Sequence, residues 1–105
     1  MELARVRAKE LSESFSHTRP NGDPGTMIIW DYYPYIYDWY HGENIGMTNG
    51  DYAYMFQLFE ESDGHRGTMI ASKYTMMGIG CYIDYNETYG INVMYCCQLF
   101  AGPWE

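Results

Sequence analysis

The stretch Met77–Phe100, MGIGCYIDYNETYGINVMYCCQLF, decides the fold. Ile79, Cys81 and Ile83 fall on one face of an extended chain, and Ile91, Val93, Tyr95, Cys97 and Leu99 repeat the same period of two. NETYG between them is turn-forming, so 77–85 and 90–100 are predicted to pair as an antiparallel hairpin. Upstream the period changes. Ala4, Ala8, Leu11 and Phe15 make a stripe at helical spacing over 2–15. Asp51 is placed to cap a second helix over 51–62, whose Tyr52, Met55, Phe56 and Phe59 form the inward face. A further short helix is expected over 65–72. SHTRPNGDPG, at 16–25, has the composition of a loop. Thr26–Trp30 is a short apolar run that suits a helix or a strand, and 31–50, broken by Pro34, Gly42, Gly46 and Gly50, reads as irregular. Helices first and strands last, without a parallel βαβ rhythm, make an α+β fold in one domain, 1–105.

The net charge is −8, and Arg5, Arg7 and Lys9 hold half of the strong bases within the first nine residues. From Glu10 onward only Arg19, Arg66 and Lys73 are basic. Nucleic acid needs clustered positive charge, so it is excluded as a partner, and an anionic membrane surface is disfavoured for the same reason. No apolar run approaches the ~20 residues of a membrane span. Twelve tyrosines crowd the chain, many within IIWDYYPYIYDWYH at 28–41, where rings with polar tips suit a core cover or the rim of a cleft. The chain begins Met-Glu-Leu-Ala, without the charged and apolar regions of a leader.

Three cysteines leave at least one thiol unpaired in a monomer. Cys96 and Cys97, adjacent on a strand, point to opposite faces and are poorly placed to bond each other. Cys81 could join either one, or all three could be buried thiols. No CxxC spacing exists, which argues against a cysteine zinc site. Asn86-Glu87-Thr88 is a glycosylation sequon on the predicted turn.

His17, Glu43 and His65 carry the chemistry. Imidazole nitrogen and carboxylate oxygen suit a zinc-like divalent cation and also general acid–base work. Each sits in a loop-like context: His17 just after the first helix, Glu43 between Gly42 and Asn44, and His65 after Gly64 beyond the second helix. Each also has a plainer reading, a solvated loop histidine or a carboxylate that pins backbone N–H groups. Ser16 and Ser62 lie near the two histidines, so a Ser–His hydrolase is available on paper, although nothing resembles a nucleophile elbow. Arg66 is expected to pair with Asp63 or Glu61.

Four segments in order, FSHTRPNG at 15–22, GENIG at 42–46, ESDGHR at 61–66 and YTMMGIGCY at 74–82, resemble the CAP superfamily (cysteine-rich secretory proteins, antigen 5, pathogenesis-related proteins), in particular its bacterial SCP-type branch. The resemblance runs from about residue 2 to 101. It implies an α–β–α sandwich in which His17, Glu43 and His65 line a cleft, with Ser62 at the position where eukaryotic members carry a second glutamate and Glu61 beside it. His17, His65 and Glu43 would then be the ligands of a divalent cation such as zinc, His41 being a possible substitute. The family is usually exported, which implies a secreted or cell-envelope setting. It also carries one more helix before the one at 2–15; lacking it, this chain would expose apolar surface and could pair as a homodimer. The function so implied is binding of a divalent cation, a small amphipathic ligand or a protein in an acidic cleft rimmed by the aromatic segment 30–41. A peptidase- or esterase-like hydrolase using the same cleft and a structural module with a vestigial cleft are the alternatives.

Overall fold

A computed structural model of the chain describes residues 2–36 and 38–104. Helix α1 spans Glu2–Glu13. A 3-10 turn at Gly25–Met27 leads into the short α2, Ile28–Tyr32, and a second 3-10 turn covers Pro34–Ile36. Strand β1, Tyr40–Thr48, is followed by α3, Tyr52–Glu61, and α4, Asp63–Ile70. Strands β2, Met76–Asn86, and β3, Ile91–Gly102, close the chain. The three strands form one antiparallel sheet in the order β1-β3-β2.

The predicted hairpin is present, with Cys81 opposite Cys96 and Asn86 opposite Ile91. The apolar run at 26–30 is helical. The expectation of an irregular 31–50 fails at β1, which pairs along its whole length with β3 from Tyr40↔Gly102 to Thr48↔Met94. Its glycines are sites of close approach rather than breaks. A Cβ on Gly42 would run into the Tyr74 ring, and one on Gly46 would meet the Met55 and Phe59 side chains. Tyr37, within the aromatic run, lies outside the described residues.

The sheet separates two apolar layers. On one face Leu3, Ala4, Ala8 and Leu11 of α1, with Ile28, Ile29 and Ile36, pack on Ile45, Val93, Tyr95, Cys97, Leu99 and Ala101. On the other, Met55 and Phe59 of α3 pack on Met94 and Cys96. Phe15 and Phe56 were expected inside. Phe15 lies beyond the end of α1 and Phe56 turns outward on α3, and both are exposed. Asp51 caps α3 as predicted, its Oδ1 accepting from Tyr54 N at 3.0 Å. Asn86, in the sequon, is half-buried and its Nδ2 donates to the Tyr95 hydroxyl.

Candidate functional site

Successive residues of a strand point to opposite faces, and β1 is an edge of the sheet, so adjacent residues of the GEN segment reach both layers. Glu43 faces α1. Its Oε2 accepts from Arg7 Nε at 3.0 Å and its Oε1 accepts from Arg7 Nη2 at 3.0 Å. Arg7 is fully buried and the Glu43 side chain is 4% exposed. Planar guanidinium and carboxylate meet here as a two-point pair. The geometry depends on Gly25, where a Cβ would land on the Glu43 carboxylate and the Arg7 guanidinium.

Asn44 faces the other layer. Its Nδ2 donates to the His65 carbonyl and to Gln98 Oε1, both at 3.0 Å, and Gln98 Nε2 donates to the Tyr52 hydroxyl at 2.9 Å. Burial pushes the Tyr52 phenol pKa up, which keeps it a neutral hydroxyl in this network. Asn44 and Gln98 are buried but hydrogen-bonded, and they fix the start of α4 on the sheet.

His17 is brought to Glu43 by the loop after α1. Gly25 N donates to the His17 carbonyl, Thr18 pairs with Pro24, and Arg7 Nη2 donates to the Ser16 carbonyl. Arg19 ties the same loop to Glu10 of α1 and Asp31 of α2. Nδ1 of His17 lies 3.0 Å from Glu43 Oε1. A carboxylate only accepts, so Nδ1 carries the proton and Nε2 is left as the lone-pair nitrogen of the neutral ring. His65 has its Nδ1 2.9 Å from Ser62 Oγ, and its ring packs against Phe59.

His17, Glu43, Asn44, Ser62, Gly64, His65 and Thr68 line one open cleft of about 250 Å³ at the β1 edge. The structure therefore brings His17, Glu43, Ser62 and His65 together. Glu61 stands apart, its carboxylate accepting from Gln57 Nε2 on the surface of α3. His41 is also elsewhere: Nε2 donates to the Ile36 carbonyl at 3.1 Å, and the ring lies edge-on to Trp30. Burial lowers its pKa. None of the described residues of the aromatic segment lines this cleft; Tyr33 and Ile36 line a separate, narrow apolar groove with Leu3 and Leu99. The cleft is less acidic than expected, because its one lining carboxylate is matched by Arg7. Arg66 pairs with Asp63, as anticipated.

The Glu43 carboxylate already accepts from Arg7 Nε, Arg7 Nη2 and His17 Nδ1, so a cation taken by it as a third ligand would sit against the Arg7 guanidinium. Among the described residues no group of three or more His, Cys, Asp or Glu side chains is disposed to hold a metal ion. What is left are two imidazoles with Nδ1 engaged by an oxygen partner, the acceptor-only carboxylate of Glu43 for His17 and the Ser62 hydroxyl, which can donate or accept, for His65. That is how metal-binding histidines are ordinarily oriented. Arg7 is the functional residue that the sequence reading missed. Its signal was its position: a charge on the buried stripe, between Ala4 and Leu11.

Among solved structures, the chain is similar to an extracellular protein containing an SCP domain from Bacillus anthracis, with a TM-score of 0.77 and 22% identity over 96% of this chain and 30% of that one. It is also similar to an outer surface protein from Borrelia burgdorferi, with a TM-score of 0.67 and 18% identity over 98% of this chain and 72% of that one. The chain thus spans about 30% of the length of the Bacillus anthracis protein. A search of curated proteins gives no significant match. Among the described residues no helix is long and apolar enough to cross a membrane. The family model of the cysteine-rich secretory proteins matches residues 1–100, in agreement with the α–β–α layers: the chain belongs to the CAP family.

Proposed function

We propose that this domain is a binding module acting in an extracellular or cell-envelope setting. Its cleft takes a divalent cation, or the polar end of a small amphipathic ligand, on the Nε2 atoms of His17 and His65. The observation that carries this reading is the shared arrangement of the two rings. Nδ1 of His17 donates to Glu43, and Nδ1 of His65 is engaged by the Ser62 hydroxyl, so a ligand in the same cleft is left the Nε2 side of each ring; for His65 to bind a cation there, Ser62 Oγ must be the acceptor. Glu43 acts through His17 and is itself fixed by Arg7. A bound cation would supply Lewis acidity, and with two protein nitrogens its remaining positions would fall to water or to ligand oxygen atoms. The setting is supported by the surface and extracellular descriptions of the structural relatives.

The test is calorimetric titration of zinc into metal-free protein at neutral pH, beside the His17→Ala/His65→Ala variant. One-to-one saturable binding that disappears in the variant is the expected result. Equal binding by both proteins, or none by either, removes the cation from the reading. A second reading, hydrolysis, draws on the His17–Glu43 pair, an oriented imidazole of the kind general-base catalysis uses. Ester or peptide turnover that is lost in His17→Ala would favour it.

A further inference from the structure

We propose that Cys81 and Cys96 form an intrachain disulfide when the domain meets an oxidising thiol–disulfide pool, while Cys97 stays a free thiol. This is independent of what the cleft binds.

The three thiols differ in what faces them. Cys81 of β2 stands directly opposite Cys96 of β3, and their Sγ atoms are 3.0 Å apart. Directly opposed residues of an antiparallel pair have Cα atoms about 4.5–5.5 Å apart, inside the range of about 4.4–6.8 Å that a disulfide spans. Bond formation therefore needs a rotation of the two side chains and no change of register. Cys97, one residue along, points to the opposite face, and its register partners are Gly80 on β2 and Ile45 on β1, neither of which offers a thiol. It is fully buried against the α1 layer.

Access differs in the same way. Cys81 is half-buried on an edge strand, whereas Cys96 is fully buried beneath Met55 and Phe59. The oxidant therefore meets Cys81 first. The Cys81 thiol, having lost its proton to water, attacks one sulfur of a small disulfide and expels the other as thiolate. Cys96, losing its own proton, then attacks the Cys81 sulfur of the mixed disulfide and expels the second thiolate. Two protein thiols are oxidised and one disulfide is reduced to two thiols, so atoms and electrons balance. Burial raises the Cys96 thiol pKa, which makes the second step the slow one. The product ties β2, whose one ladder neighbour is β3, across the sheet. Such bonds persist in the oxidising settings where surface proteins work.

The experiment is exposure of the native protein to oxidised glutathione, followed by alkylation in denaturant and intact-mass measurement. The expected product has lost two hydrogens and carries one alkyl group. Cleavage after Glu87 should leave the Cys81 fragment joined to the Cys96–Cys97 fragment until reductant is added. Because that fragment holds two cysteines, Cys96→Ser and Cys97→Ser are compared. The first should lose the link and the second should keep it. Three alkylated thiols in the treated wild type, a link that survives in Cys96→Ser, a stable glutathione adduct at Cys81, or a disulfide between chains would each overturn the proposal. The melting temperature of the oxidised protein should exceed that of the reduced protein and return on reduction. Equal melting temperatures would refute the claim that the bond ties β2.

Discussion

Replacing Glu43 with Ala tests the Arg7–Glu43 pair. The substitution removes both acceptors of a guanidinium that has no exposed surface, leaving it the Ser16 carbonyl and a Glu10 oxygen at 3.5 Å. Removing one partner of a buried ion pair costs about 3–5 kcal/mol, and the two remaining contacts favour the lower end, about 3 kcal/mol. A domain of 105 residues has roughly 5–15 kcal/mol in all, so a fifth or more of its stability is at stake. With a urea slope of about 1.5 kcal/mol per molar, the unfolding midpoint should fall by about 2 M, followed by the fluorescence of Trp30 and Trp39. The control is the double variant Arg7→Met/Glu43→Leu, in which neither charge is buried alone. It should lie within about 1 kcal/mol of the wild type, well short of the sum of the two single costs. A midpoint shift in Glu43→Ala below about 0.5 M, or a double variant equal to that sum, would refute the reasoning. The pair would then act as a surface ion pair does.

Three further outcomes follow from particular contacts. Asn44→Ala leaves the Gln98 amide and the His65 carbonyl short of a partner in a buried site and should cost about 2–3 kcal/mol, seen as a fall in melting temperature of about 10 °C; an unchanged melt would contradict the network. The glycines should split: Gly67→Ala, whose Cβ enters open space in the exposed middle of α4, should stabilise by up to about 1 kcal/mol, whereas Gly25→Ala should destabilise and loosen His17. Destabilisation by the first, or tolerance of the second, would show the packing to be misread. His41 has its pKa lowered from 6.5 by burial, so below pH 6.5 the unfolded chain binds the proton first and stability must fall with falling pH, with no contribution above that value. His41→Gln should flatten that part of a denaturation-against-pH curve, and an unaltered slope would discount the shift.

How far the sequence reaches depends on whether a signal is local. A period of two on either side of NETYG fixes a hairpin, and Asp51 before an apolar run fixes the start of a helix, because both are contests between neighbouring residues. GEN, in contrast, looks broken to any local reading. Gly42 and Gly46 make sense in a strand only because Tyr74, Met55 and Phe59, distant in sequence, fill the space where a Cβ would be. The Phe15 and Phe56 positions fit the helical stripe, yet the layers pack elsewhere and leave both outside.

The site divides along the same line. His17, Glu43 and His65 were legible as residue types in a familiar order. Their roles came from tertiary structure, because a carboxylate is a ligand or a brace according to what reaches it. Here Arg7, thirty-six positions away, takes both oxygens of Glu43 and turns it from a candidate ligand into the partner that orients His17. The sequence by itself determined that helices precede a hairpin and that two imidazoles and a carboxylate were available. Only the folded chain decided that β1 would be an edge strand, sending Glu43 to one layer and Asn44 to the other, because alternation across a pleated strand has no direction until both faces are covered.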